Sequence, residues 1–107
     1  MSTEQDTQTH DFDTFISSQE LPVLSDFWAD WCGPCKMMES VLKDLAKDWK
    51  ERLKVIKVDT DKKPHLASRF NISGIPTMIL FKGGQEVYRV SGAMPLAQLK
   101  RELESRL

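Results

Sequence analysis

Short apolar runs separated by turn residues predict four strands along the chain. The runs are rich in β-branched and aromatic residues, which favour extended backbone. The last two runs flank residues 82–85, Lys-Gly-Gly-Gln, a connection typical of a β-hairpin. The predicted strands are Val23–Trp28 and residues 53–58, 77–81 and 86–90.

Other segments repeat apolar residues every three or four positions, as one face of a helix does. A long helix is predicted over residues 36–49, a short one around residues 66–70 and a last one from near Pro95. Asp11 is predicted to cap a first helix. The apolar faces consist of Phe12, Phe15 and Ile16 in the first helix, Met38, Val41, Leu42, Leu45 and Trp49 in the long one, and Leu96, Leu99 and Leu103 in the last. Helices that alternate with strands predict an α/β fold, with helices on both faces of one sheet.

Length, composition and charge narrow the class of protein. A chain of 107 residues that is 40% hydrophobic is expected to form one domain, residues 1–107, around a single core. A net charge of −1, with both signs mixed along the chain, favours neither nucleic acid nor an anionic membrane as a partner. The polar residues 1–10 lack the features of a signal peptide, and no apolar run approaches the roughly 20 residues of a membrane span. We therefore expect a cytoplasmic protein.

The only two cysteines, Cys32 and Cys35, lie where a strand pattern changes to a helix pattern. Pro34 suits the first turn of a helix and Gly33 gives the junction conformational freedom. Cys32 should therefore lie beside unpaired N–H groups and the positive end of the helix dipole, which favour a thiolate. Cys35 follows one turn later, where it can attack a mixed disulfide formed at Cys32. The spacing favours redox chemistry, with Cys32 the more exposed thiol.

Two plainer interpretations of the pair remain open. A structural disulfide that closes so short a loop would contribute roughly 2 kcal/mol, and the cytoplasm keeps such pairs reduced. A zinc site would need two further ligands, and the only histidines, His10 and His65, stand alone with no second cysteine pair.

The motif and its surroundings resemble the thioredoxin family from about residue 11 to the C-terminus. The resemblance rests on residues 26–37 (DFWADWCGPCKM) and on Lys57, Asp59, Ile75, Pro76, Thr77, Phe81, Lys82, Gly84 and Gly92. It implies a thioredoxin fold, whose central mixed sheet has four to five strands flanked by helices on both faces. It also implies a monomeric thiol–disulfide oxidoreductase that reduces disulfide-containing target proteins, is restored by thioredoxin reductase, and needs neither a bound cofactor nor a metal.

The resemblance assigns roles in catalysis. Cys32 is the expected nucleophile and Cys35 the resolving thiol, and the Gly33-Pro34 dipeptide between them resembles the reducing members of the family. Asp26 would lie beneath Cys35 and accept its proton. Lys57 would tune the pKa of Asp26. The sequence alone also allows plainer interpretations. Asp26 would then be a hydrogen-bonded structural acid, and Lys57 would be a solvated surface residue.

The resemblance also assigns a docking surface for target proteins. Pro76 is expected to be cis, which leaves the backbone of the preceding residue free to pair with a target strand. The residues of the surrounding apolar rim are Trp31, Gly74, Ile75, Gly92 and Ala93. A different class of function, a redox-independent binding module, would use the same rim.

Three features depart from the family pattern. Ser40 replaces a proline that usually kinks the long helix, so a straighter helix is expected. Ser91 replaces an apolar residue before Gly92 and should make the rim more polar. Residues 1–10 lack the alternating pattern of the family's first strand, so that strand is expected to be weak or absent.

Overall fold

Four strands, two of them buried almost throughout, form a mixed sheet at the centre of the computed structural model. The structure describes the backbone of residues 4–107 and side chains from His10 onward. The strands are β1 (Val23–Trp28), β2 (Lys54–Asp59), β3 (Thr77–Lys82) and β4 (Gln85–Ser91). In this described part of the chain their order is β2-β1-β3-β4. β1 pairs with β2 in parallel, and β3 runs antiparallel to both β1 and β4.

Four helices connect and cover the strands: α1 (Glu4–Ser18), α2 (Gly33–Asp48), α3 (Pro64–Arg69) and α4 (Leu96–Glu104). Successive side chains of a strand point to opposite faces, so β1 contributes to two apolar clusters. Leu24 packs with residues of α2 and α4, whereas Phe27 packs with residues of α1 and α3. The predicted α/β architecture, with helices on both faces of a mixed sheet, is confirmed.

The hairpin predicted from the Gly-Gly pair joins β3 to β4. Gly83 and Gly84 both have positive φ, 61° and 82°, a conformation that costs glycine little and other residues more. Gly84 also lies so close to Ser17 of α1 that a Cβ there would collide with the Ser17 side chain. This position therefore needs glycine for two separate reasons.

The start of α1 differs from the prediction. The helix begins at Glu4, so Asp11 lies inside it and does not cap it, and residues 4–10 are helical rather than extended. Residues 4–10 contain neither glycine nor proline, and a helix that has nucleated gains one hydrogen bond for each residue added. A weak or absent strand was expected in residues 1–10, and residues 1–3 of this segment lie outside the described residues.

α2 passes through Ser40 without interruption. The Ser40 hydroxyl lies 3.4 Å from the carbonyl oxygen of Met37, within the preceding turn.

Among the residues described, no helix is both long enough and apolar enough to cross a membrane.

Candidate active site

The first turn of α2 holds the two cysteines, which form a disulfide in the structure. Cys32 is the N-cap of the helix, with an extended backbone, and Pro34 occupies the first turn. The Cα atoms of Cys32 and Cys35 are 5.2 Å apart. The backbone N–H of Cys35 donates to Sγ of Cys32 over 3.2 Å. Cys32 thus replaces the side-chain oxygen that usually accepts a hydrogen bond at a helix N-terminus.

The disulfide is almost wholly covered, although the residues around it are exposed. Cys32 is 4% exposed and Cys35 3%. The expectation that Cys32 is the more exposed thiol concerns the reduced protein and stays a prediction. Sγ of Cys32 lies 3.7 Å from the carbonyl oxygen of Ile75, so the loop before β3 covers it. The two sulfurs differ in their contacts rather than in their exposure.

Asp26 lies in β1 and is 1% exposed. Neither of its carboxylate oxygens has a hydrogen-bond partner among the described residues. Burial raises the pKa of Asp26 from 3.8 to about 6, while the positive charge of Lys57 opposes the rise and the negative charge of Glu39 adds to it. A carboxyl group with such a pKa exchanges its proton near neutral pH, as a general base requires.

Lys57 is the neighbour of Asp26 across the strand pair, because Asp26 of β1 and Lys57 of β2 lie at the same register. The Lys57 ammonium lies 4.2 Å from the centre of the Trp28 ring, a cation–π contact. Within the described part of the chain it forms no ion pair with Asp26. Lys57 therefore acts on Asp26 through space and not through a direct bond.

A cavity of about 220 Å³ connects these charges. Asp26 and Lys57 line it from the sheet, and Glu39 and Lys43 line it from α2. Sequence reasoning missed Glu39, because an exposed glutamate on a helix is ordinary. Its position four residues after Cys35, and therefore on the same helix face, was the available signal.

We expect two substitutions in this cavity to move the pKa of Asp26 in opposite directions. Glu39→Gln should lower it, because a negative charge is removed. Lys57→Met should raise it by a larger amount, because Lys57 has the stronger effect of the two. Titration of the Asp26 carboxyl carbon by NMR in the disulfide form measures both. Lys43→Gln is the matched control and should change the pKa less than either; equal changes in all three variants would contradict this account.

The loop before β3 lies against the end of β4. The Ile75–Pro76 peptide bond is cis. The N–H of Gly92 donates to the carbonyl oxygen of Pro76 over 2.8 Å. Gly92 has a φ of 97°, which favours glycine at that position. The structure thus brings the two predicted segments of the rim together, next to the disulfide.

Two shallow grooves flank the disulfide. The first, about 300 Å³, is lined by Trp31, Thr60, Ala67, Ile72, Ser73, Gly74 and Ile75. The second, about 220 Å³, is lined by Met37, Met38, Val41, Ala93, Met94 and Pro95. Trp31 is 71% exposed, and its indole N–H donates to Asp61 over 3.1 Å. Of the predicted rim, Trp31, Gly74 and Ile75 line the first groove and Ala93 lines the second, whereas Gly92 lines neither. The sequence analysis did not single out the three methionines of the second groove.

Among the described residues, no three histidine, cysteine, aspartate or glutamate side chains are grouped as metal ligands would be.

Comparison with known proteins agrees with this geometry. The family model for thioredoxin matches residues 3–105. Thioredoxin 1 of Chlorobaculum tepidum is 50% identical over 91 residues, which is 85% of this chain and 90% of that protein. Thioredoxin 1 of a Nostoc species is 46% identical over 86% of both chains. A bifunctional thioredoxin reductase/thioredoxin of Mycobacterium leprae is 50% identical over 82% of this chain and 19% of that protein. A two-cysteine motif at a helix N-terminus, a mixed sheet between helices and these similarities together show that the chain belongs to the thioredoxin family.

Proposed function

We propose that the chain, a thiol–disulfide oxidoreductase of this family, reduces disulfides in target proteins with Cys32 as nucleophile and Cys35 as resolving thiol. The thiolate of Cys32 attacks one sulfur of a target disulfide, and the other target sulfur leaves as a thiolate that takes up a proton. Cys35 then loses its proton and attacks Sγ of Cys32, which breaks the mixed disulfide. The target gains two electrons and two protons, and the chain retains the Cys32–Cys35 disulfide.

The observation that carries this proposal is the contact between the Cys35 N–H and Sγ of Cys32. In the reduced protein the same N–H stabilises negative charge on Cys32, at the positive end of the α2 dipole. Cys35 lies one residue past Pro34, inside the helix, and its sulfur has no such donor at a helix end. This asymmetry supports Cys32 as the nucleophile.

Asp26 is proposed to accept the proton that Cys35 releases. One support is a pKa of about 6, which leaves the carboxylate mostly ionised near neutral pH. The other is that no hydrogen bond from the described residues holds the carboxylate in another role. Lys57 keeps that pKa from rising further. Gly33 and Pro34 set the distance between the two thiols.

Target proteins are proposed to dock across the two grooves beside the disulfide. Support comes from the carbonyl oxygen of Ile75, before cis-Pro76, which lies 3.7 Å from Sγ of Cys32. We propose that this backbone pairs with an extended target segment. Trp31 and Gly74 line one side of this path, and Gly92 and Ala93 border the other. Exposed Trp31 and Met37 supply apolar and adaptable contact area.

The reduced form has to be regenerated, and thioredoxin reductase is the proposed donor. The Mycobacterium leprae relative supports this pairing, because its name joins a thioredoxin reductase to a thioredoxin in one chain. We further propose that the protein is a monomer with a single domain. It works in the cytoplasm and needs no bound cofactor.

Catalytic turnover separates this function from a redox-independent binding module. With a thiol reductant in excess, the protein should accelerate reduction of insulin disulfides, and the Cys32→Ser/Cys35→Ser variant should not. Thioredoxin reductase with NADPH should replace the chemical reductant. A double-serine variant that performs as well as the wild type, or a wild type without turnover, would overturn the proposal.

A further inference from the structure

Ser91, at the end of β4, lies opposite Thr77, at the start of β3. Their hydroxyl oxygens are 2.8 Å apart. The Thr77 hydroxyl is also within hydrogen-bond distance of the carbonyl oxygen of Gly74, 2.5 Å away. Thr77 is 2% exposed, whereas Ser91 is at the surface. The three residues form a continuous chain of hydrogen bonds from β4 to the loop that carries Ile75.

The direction of these bonds follows from the protons available. A threonine hydroxyl has one proton, and a carbonyl oxygen only accepts. Thr77 therefore donates to Gly74 and must accept from Ser91. Because a hydroxyl that accepts a hydrogen bond becomes a stronger donor, the Ser91 bond orients the buried Thr77 hydroxyl and strengthens its bond to the Gly74 carbonyl.

Gly74 faces open space on the side where a side chain would lie. A Cβ at this position would meet no other atom within 4 Å, so no packing restricts this side of its backbone. Two residues further on, the Gly92 N–H holds the Pro76 carbonyl. The Ile75 carbonyl, which lies beside Cys32, thus has a hydrogen bond to the backbone on each side, and one of these bonds is strengthened by Ser91.

We propose that Ser91 is a positioning residue for protein substrates: acting through Thr77, its hydroxyl fixes the loop of residues 74–76 on which a target strand pairs. This inference rests on the proposed function. Since a disulfide in a small molecule needs no strand pairing, the effect of Ser91 is confined to protein disulfides. Ser91, which the sequence predicts to make the rim more polar, thus acts through a residue that is buried beneath it.

Ser91→Ala should raise the KM for insulin about two- to tenfold, the range that corresponds to one net hydrogen bond. Its kcat should change less than twofold, and its rate with a small aromatic disulfide should equal that of the wild type. Ser91→Thr, which keeps the hydroxyl, should restore the KM. A Ser91→Ala variant with an unchanged KM for insulin would overturn the inference.

Repeating Ser91→Ala in a Thr77→Val background tests whether Ser91 acts through Thr77. Thr77→Val keeps the shape of the side chain but removes the hydroxyl, so Ser91→Ala should then have no further effect on KM. An equal rise in both backgrounds would show that Ser91 contacts the target itself, which refutes the proposed route. If the wild type reduces neither insulin nor the small disulfide, both the proposed function and this inference are wrong. If the wild type reduces both substrates and Ser91→Ala leaves the KM for insulin unchanged, only this inference is wrong.

Discussion

Cys35→Ser should convert the protein from a catalyst into a trap for its targets. Cys32 can still attack a target disulfide, but no thiol remains within reach to resolve the mixed disulfide. Multiple-turnover reduction should fall to the uncatalysed rate, while mixed disulfides accumulate and survive in the absence of reductant. Non-reducing electrophoresis of the variant after incubation with a disulfide-bonded protein measures the trapped fraction.

Cys32→Ser is the matched control, because it removes the other sulfur of the same pair. It should also abolish turnover, but it should trap almost nothing, because the remaining thiol lacks the N–H contact that Cys32 receives. Alkylation of the reduced wild type near neutral pH should label Cys32 first. Trapping mainly through Cys35, or equal labelling of the two thiols, would reverse the assignment of nucleophile and resolving thiol.

The fold was predictable wherever burial alone decides the structure. β1 and β3 are covered by helices on both faces, so β3 is a nearly continuous apolar run and β1 is apolar except at Ser25 and Asp26. α2 combines a strong helical repeat, predicted over residues 36–49, with a proline that suits a first helical turn, and the helix begins at Gly33, three residues before that repeat. α1 had no such marker, because residues 4–10 are polar and favour no particular boundary. Its first seven residues were missed for that reason.

The site was predictable only in part. A sequence pattern identifies a residue that breaks it, but it does not identify a residue whose type is common at its position. Asp26 stands out because it interrupts a buried strand. Glu39 and Met37 occupy exposed helical positions where any polar or flexible residue is common, so only the tertiary structure shows that they line grooves beside the disulfide. The bond between Ser91 and Thr77 depends on the register of β3 and β4, which is set by the hairpin. The cover over Cys32 likewise depends on a loop 43 residues away in sequence.

Asp26→Ala should make the disulfide form more stable at pH 7 while it slows catalysis. The folded pKa of about 6 lies above the ordinary value of 3.8, so the native state binds the extra proton between these values. The contribution of Asp26 to the free energy of unfolding is therefore fully present below about pH 4 and is lost as the pH rises through about 6. Because one pKa unit corresponds to about 1.4 kcal/mol, the buried carboxylate costs about 3 kcal/mol at pH 7.

The gain in Asp26→Ala should be smaller than that cost, because the shorter side chain leaves additional space beside an existing cavity. We expect a net gain of about 1–3 kcal/mol, which corresponds to a rise in Tm of about 4–8 °C for each kcal/mol. At pH 4, where native Asp26 is protonated, the gain should be much smaller. Thermal unfolding at both pH values measures the difference, and Asp26→Asn, which keeps the shape but not the charge, should lose the same pH dependence.

The same variant should turn over more slowly, because Cys35 has lost its proton acceptor. General-base catalysis typically contributes about 10²–10⁴-fold to the step it assists, so the mixed disulfide should live at least tenfold longer than in the wild type. In the wild type the rate of resolution should rise as the pH passes about 6, and this titration should be missing in Asp26→Ala. Single-turnover decay of a preformed mixed disulfide, followed against pH, isolates that step. A variant that is less stable than the wild type at pH 7, or that resolves the mixed disulfide equally fast, would show that Asp26 is only a structural acid.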